Sequence, residues 1–275
     1  MSVTISLASR GRPELLKSTL GATGPNIRES GTRIVVLLDE DDEQSTGFAF
    51  DHPNVTVSVA PRAESFGHKW NRAVDIAPGS IYVLMADYTP HITPGFDTKV
   101  LEAAALFPDG IGVVYNHLAN LSFPGMVSAT AGLVEKMGYF CPPYFPYWFV
   151  DHWIDDIARM IGRVAFAEVD IGRHNKPATQ GLQEPAFWAM LYDALVFERR
   201  EQAFTIIDGE DFIEPAWRKQ MLKGASKLVE ERSFMINAYV RTIQAPPKPV
   251  DARYAALKDK AMAKLAEVAK MLEAA

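Results

Sequence analysis

Apolar and polar positions fall into blocks along the first 115 residues, and the blocks change period. Val3 to Ala8 (VTISLA) is a short run of strand formers, and Arg12-Pro13-Glu14 opens a helical stretch through Leu20, with Pro13 suited to a first helical turn. Arg33 to Leu38 (RIVVLL) is apolar almost throughout, as a strand covered on both faces should be. Asn54 to Ala60 alternates and predicts a third strand. A helix is expected over Phe66 to Ile76, stopped by Pro78-Gly79, and a fourth strand over Ser80 to Ala86. Phe96 to Phe107 predicts another helix and Ile111 to Tyr115 another strand. Strand and helix in alternation imply βαβ units and a mostly parallel sheet.

The second half changes character. Tyr139 to Trp148 (YFCPPYFPYW) is dense in aromatics and proline. Asp151 to Gly162 predicts a helix with Ile154, Ile157, Ala158 and Ile161 on one stripe, followed by a strand over Val164 to Val169. The pattern is helical from Glu184 to about Ala245, with a break at Ile206 to Gly209. Beyond the proline-rich turn at 245–249, Tyr254, Leu257, Ala261, Leu265, Val268 and Leu272 recur every three or four positions. That spacing predicts an amphipathic helix with a seam able to dock on its own chain or pair with a second copy. The expected organisation is a core over 1–180, a helical extension over 181–245, and a linker with a terminal helix over 246–275.

Composition narrows the class. The chain has 275 residues, 48% of them hydrophobic and 23% charged, which is ordinary globular composition. No apolar run reaches membrane-spanning length, and the N-terminal segment lacks a signal peptide's basic start and apolar block. A soluble, cytoplasmic protein is the expectation. The lone Cys141 excludes an intramolecular disulfide framework and a multi-cysteine zinc site. A net charge of −6 argues against affinity built on covering many phosphates.

Ligands of open α/β sheets bind beyond the carboxyl ends of the strands. The first predicted strand ends in Ser9-Arg10-Gly11-Arg12, the second in Asp39-Glu40-Asp41-Asp42, and the fourth in Asp87-Tyr88. Arginine's planar fork suits phosphate, although a solvated turn would read the same way. Asp39, nearest the second strand, is placed to accept from a base or ribose, whereas the rest of its run reads as solvated charge. Asp87 follows a buried strand, so it needs a partner or a hard cation such as Mg²⁺ or Mn²⁺, or else it is a turn residue. Asp151 sits where a helix dipole favours the ionised carboxylate, which suits either a proton acceptor or an N-cap. His174, in a loop after a strand, could complete a metal site. There is no Walker loop, no G-x-G-x-x-G and no G-x-S-x-G.

Four blocks in order resemble family 2 glycosyltransferases of the GT-A fold. They are VTISLASRGRPELLKSTL, RIVVLLDEDD, ESFGHKWNRAVDIAPGSIYVLMADYTPHITPGFD and YFPYWFVDHWIDDIARMIGR, within residues 3 to 175. The resemblance implies an α/β GT-A core that moves a sugar, with inversion, from a nucleotide-diphosphate sugar to a hydroxyl acceptor. Ser9, Arg10 and Arg12 would line the nucleotide site and Asp39 would contact the base. Asn71 and Lys69 would lie beside the donor. Asp87 would be the remnant of the Asp-x-Asp signature that holds Mn²⁺ or Mg²⁺, Asp151 the general base, and His174 a further metal or diphosphate contact.

Two positions depart from that pattern. Ala86 and Tyr88 flank a single aspartate, and Trp70 stands where the family carries arginine, leaving diphosphate charge to Lys69 or Arg72. The compact form resembles members encoded by bacterial viruses, some of which glycosylate hydroxymethylated DNA bases. Arg159, Arg163, Arg173, Lys176, Arg218, Lys219, Lys223 and Lys227 are the candidates for a duplex-binding surface. The readings left beside this one are a non-catalytic sugar-nucleotide or partner-binding module and a nucleotidyltransferase.

Overall fold

A computed structural model of the chain describes residues 1–45, 47–116, 126–172, 184–207 and 252–273. Its centre is a seven-stranded sheet in the order β3-β2-β1-β4-β6-β5-β7. The strands are β1 (Val3–Ala8), β2 (Arg33–Asp39), β3 (Val55–Ala60), β4 (Ile81–Ala86), β5 (Val113–Asn116), β6 (Val127–Thr130) and β7 (Val164–Ala167). All run in one direction except β6, which is antiparallel to both β4 and β5.

Sequence character follows position in the sheet. The central β1 and β2 are buried along almost their whole length, which accounts for their unbroken apolar runs. The edge strand β3 is only partly covered, with Thr56 and Val59 exposed and the rest half-buried, so its burial reflects its edge position more than the alternation of its sequence. The strand β6 is missing from the sequence reading. Its four residues, VSAT, are too short and too mild to stand out, and they run straight into α4 (Ala131–Met137), which Thr130 caps.

Helices cover both faces. On one face α1 (Pro13–Thr23) and α3 (Phe96–Ala104) bury Leu16, Leu20, Phe96 and Val100 against Val3, Ile5, Leu7 and Val83. On the other, α2 (Phe66–Ile76) crosses β1, whose outward residues there are small and polar. Thr4 Oγ1 donates to the Ala77 carbonyl at 2.6 Å and Ser6 Oγ to the Trp70 carbonyl at 3.2 Å. These short side chains let the helix approach closely, and the Thr4 bond serves the carbonyl at the helix C-cap, which lies past the intrahelical ladder.

Beyond α2 the same face carries α5 (Val150–Met160), α6 (Pro185–Ala194), α7 (Val196–Ile207) and α8 (Ala252–Glu273). They share one apolar cluster with β5 and β6, and Leu257 and Ala261 of α8 are buried in it. The terminal seam therefore docks on its own chain. Among the described residues no helix is long and apolar enough to cross a membrane.

Fully buried charges pin α7 beneath α5. Arg199 Nε lies 3.1 Å from the Asp156 carboxylate, its guanidinium carbon stands 3.9 Å from the Tyr192 ring centroid, and the Tyr192 hydroxyl donates to Asp156. Asp155 accepts from Tyr115 at 2.5 Å and from Arg159 at 2.9 Å. Of the acidic group 151–156, these two carboxylates serve the core.

Candidate active site

The strand order reverses direction beside β1: the chain winds outward through β2 and β3, then returns to place β4 on the other side of β1. In open α/β sheets such a switch point opens a crevice at the carboxyl ends of the strands. Residues Ala8 and Ala86 are partners in register, so the next residue of each strand, Ser9 and Asp87, meets across the opening. Ser9 Oγ donates to Asp87 Oδ2 at 2.7 Å, and Arg12 Nη1 lies 3.4 Å from Oδ1. Burial pushes the Asp87 carboxyl above the usual carboxylate range, and Ser9 and Arg12 partly offset that rise.

One strand over, Asp39 closes β2. It is buried, with Lys69 Nζ at 3.0 Å and Arg10 Nη1 at 3.1 Å from Oδ2, while Oδ1 is buried without any hydrogen-bond partner. Lys69 also donates to the Ser9 carbonyl at 3.0 Å, so one ammonium from α2 ties the ends of β1 and β2 together. Burial lowers the Lys69 pKa, and Asp39 opposes that fall. Arg10 reaches Asp41 at 2.6 Å as well. The arginines sit on a tight turn made by Gly11, which has φ +66° and whose N–H donates to Asp42 at 2.8 Å.

The structure thus brings Ser9, Arg10, Arg12, Asp39, Lys69 and Asp87 into one cluster. Asn71, expected beside the donor, has a different task. Its Oδ1 accepts from the N–H groups of Phe140 and Cys141 at 3.1 and 2.7 Å, and its Nδ2 donates to the Cys141 carbonyl at 2.9 Å. It fastens α2 to the aromatic loop that precedes α5. Gly67 serves the same junction, since a Cβ there would fall 2.2 Å from the Pro142 carbonyl oxygen. Arg72 bonds Ser58 of β3 at 2.8 Å.

Asp151 lies in the first turn of α5. The helix leads through Gly162 into β7, which runs parallel to β5. Its N-terminus therefore stands at the same carboxyl edge as Asp87, on the face carrying α2. Entry into the helix is strained: Phe149 is a buried non-glycine residue at φ 71°, stacked on Tyr192 at 5.0 Å. Asp151 Oδ1 accepts from the His152 backbone N–H at 3.0 Å and lies 2.9 Å from His152 Nδ1. Burial would raise the Asp151 pKa, but the His152 charge and hydrogen bonds win and hold it below the usual range. The side chain keeps about 31% of its surface exposed, so a substrate can reach it.

Sequence reasoning missed two cationic contributors. Arg62, after β3, and Arg253, in the first turn of α8, lie 3.7 and 3.6 Å from Asp41. No local pattern marks them, because each is an isolated charge brought in by tertiary structure. The proposed duplex-binding set fares differently. Arg159 is paired with Asp155 and Arg163 with Asp109 at 3.1 Å, while Arg173, Lys176, Arg218, Lys219, Lys223 and Lys227 lie outside the described residues. His174 lies outside them as well.

The donor set can be tested against a divalent cation. Among the described residues no group of three His, Cys, Asp or Glu side chains is arranged to hold a metal ion, so these residues alone offer no closed cage. Mg²⁺ is commonly held by one or two carboxylates together with substrate phosphates. Asp87, with the Ser9 hydroxyl beside it, fits that shared arrangement.

No family model matches the sequence, and no curated protein matches it. Solved structures do resemble the fold. A mannosyltransferase from Pyrobaculum calidifontis, solved with GDP-Man and Mn²⁺, superposes with a TM-score of 0.50 at 16% identity, covering 96% of this chain and 80% of its own. The fold is of the GT-A type. Glucosyl-3-phosphoglycerate synthase from Mycobacterium tuberculosis, solved with Mn²⁺, UDP and glucosyl-3-phosphoglycerate, gives a TM-score of 0.47 at 14% identity, covering 75% of this chain and 78% of its own. The same enzyme with Mg²⁺ and UDP gives 0.45 at 13% identity, over 75% and 78%. At these identities the likeness is one of fold.

Proposed function

We propose that the protein is an inverting glycosyltransferase that takes a sugar from a nucleoside-diphosphate sugar. The observation that carries this reading is the cluster at the switch point. A buried carboxylate oxygen on Asp39 without a partner, flanked by Lys69 and Arg10, sits next to the Ser9–Asp87–Arg12 group. An orphaned buried acceptor is costly, and a donor from a base or ribose would relieve it. Arg10 and Arg12 from the loop after β1, with Lys69 from α2, then suit the diphosphate that follows the ribose.

Asp151 accepts the proton of the acceptor hydroxyl as its oxygen bonds to the anomeric carbon. The bond from that carbon to the diphosphate breaks on the opposite face, so configuration inverts. Charge growing on the departing diphosphate is met by Arg12, Arg10 and Lys69, donors already fixed in place. His152 holds Asp151 ionised and oriented. Asp87 would hold Mn²⁺ or Mg²⁺ jointly with the diphosphate. When bound, the cation supplies Lewis-acid neutralisation of the leaving group. The structures solved with Mn²⁺ or Mg²⁺ and with GDP-Man or UDP support this choice of metal and donor class.

The acceptor is a hydroxyl compound. A hydroxymethylated DNA base is one member of that class. With Arg159 and Arg163 paired internally, a duplex would have to be gripped by residues outside the described set.

Assaying a panel of UDP- and GDP-sugars for release of the nucleoside diphosphate, with and without acceptors and chelator, tests the proposal. Acceptor-dependent release of UDP or GDP is expected. Pyrophosphate release would point to nucleotidyl transfer, and tight binding without turnover to a binding module.

A further inference from the structure

The terminal helix α8 is held differently along its two sides. Toward α6 and α7 it presents Leu257 and Ala261, both buried, with Tyr254, Leu265 and Val268 packed alongside. Trp188 Nε1 donates to Tyr254 Oη at 2.5 Å, and that hydroxyl is pushed up to about 12, mainly by burial. Toward the nucleotide side its contacts include two exposed ion pairs. Arg253 lies 3.6 Å from Asp41, in the loop after β2, and Lys260 lies 2.5 Å from Glu64, just ahead of α2. The helix therefore bridges the loops at the carboxyl edge and the helical face beyond them.

Charged side chains from several segments meet at this junction. Arg10, Arg62 and Arg253 come from three separate segments and converge on the single carboxylate of Asp41. Lys69 adds a fourth cation, paired with Asp39 beside Arg10, on a loop whose acids also include Asp42, which accepts from the Gly11 N–H. Asp41 is also the residue that draws Arg10 into position, since Arg10 divides its guanidinium between Asp41 and the buried Asp39.

We infer that α8 forms one wall of the nucleotide site, with Arg253 a positioning residue that acts through Asp41 on Arg10 to favour a bound nucleoside diphosphate. The inference rests on the donor-site reading above and extends it to a helix outside the core βα units. It also fixes the kind of sensitivity expected. Exposed ion pairs are screened by salt, so the contribution of Arg253 must fade as ionic strength rises.

The test titrates the full chain with UDP, GDP, ADP, CDP and dTDP, and separately with the matching nucleosides. Wild type is compared with Arg253→Lys, Arg253→Ala, Arg253→Glu and Lys260→Glu. Hydrogen exchange in α8 is followed with and without the best-bound diphosphate. Arg253→Ala is expected to weaken diphosphate binding about threefold to fivefold at low salt and Arg253→Glu more, with Arg253→Lys close to wild type. Nucleoside binding should be unaffected, the differences should vanish near ~1 M salt, and diphosphate should slow exchange in α8. Thermal midpoints that match wild type guard against misfolding, and Lys260→Glu keeps the test decisive should one Arg253 variant fail to fold. Equal diphosphate affinity in wild type, Arg253→Glu and Lys260→Glu would overturn the inference while leaving the donor site standing. Failure of the wild type to bind any of the five diphosphates would remove the donor-site reading, and this inference with it.

Discussion

Ser9 and Asp87 are 78 positions apart in the chain and 2.7 Å apart in the fold, joined by a hydroxyl–carboxylate hydrogen bond across the point where the sheet changes direction. Removing the hydroxyl leaves a buried carboxylate oxygen short of its donor. Ser9→Ala should destabilise the protein by about 1–3 kcal/mol, read as a lowered urea midpoint at unchanged slope. Asp87→Ala should instead show its main loss in nucleoside-diphosphate affinity measured with Mn²⁺ or Mg²⁺ present, by about tenfold or more, for which ~1.4 kcal/mol suffices. Calorimetry with and without chelator separates the two effects.

The Asp151–His152 pair makes a kinetic prediction. Asp151→Asn should lower turnover roughly 10²–10⁴-fold and leave nucleotide affinity near wild type. The pH dependence has a definite sign. A carboxylate held below its usual pKa is ionised throughout the neutral range, so activity should fall only as pH drops through that depressed value. The stability it contributes is present above the unfolded-state pKa and lost over the same acid interval. His152→Ala removes the opposing charge and should move the acid limb of the rate profile upward. An unmoved limb would assign the base elsewhere.

Lys69 is nearly buried against Asp39. Breaking a buried ion pair from one side typically costs about 3–5 kcal/mol, and Arg10, which still reaches Asp39, should hold the loss toward the lower end. Lys69→Met should show a loss of that size in denaturant unfolding. The double variant Lys69→Met/Asp39→Asn should lose less than Lys69→Met alone, because the buried carboxylate charge is gone. Nucleotide affinity should nevertheless fall in both.

Gly67 permits contact between α2 and the loop that leads to Asp151. Gly67→Ala places a methyl group inside the Pro142 carbonyl, so backbone must shift, at about 1–3 kcal/mol. Because the displaced loop feeds α5, turnover should suffer more than nucleotide binding. Steady-state kinetics beside calorimetry would reveal the split.

Much of the fold is written in local pattern. The expected β1 and α2 match the observed spans residue for residue, and β2, β3 and β4 differ by one residue at an end. Buried parallel strands advertise themselves through continuous apolar runs, and proline and glycine mark where helices stop. The strand β6 was not legible, because four small residues carry no period. The candidate site was legible at strand ends, where Asp39 closes β2 and Ser9 and Asp87 directly follow β1 and β4. It was not legible where tertiary contact assigns the role. Asn71 braces a loop, Asp155 and Asp156 anchor the interior, and Arg62 and Arg253 arrive from distant segments. Charge identity alone does not say whether an aspartate will meet solvent or an arginine.

The switch point has a consequence for how the protein can change over time. Its floor is the ends of β1, β2 and β4, strands buried along most of their length, while its sides are furnished by loops and by α8, which reaches those loops through side-chain ion pairs. Replacing a rim residue alters what is admitted without disturbing the foundation. The rim can therefore vary in sequence while the scaffold beneath it stays put.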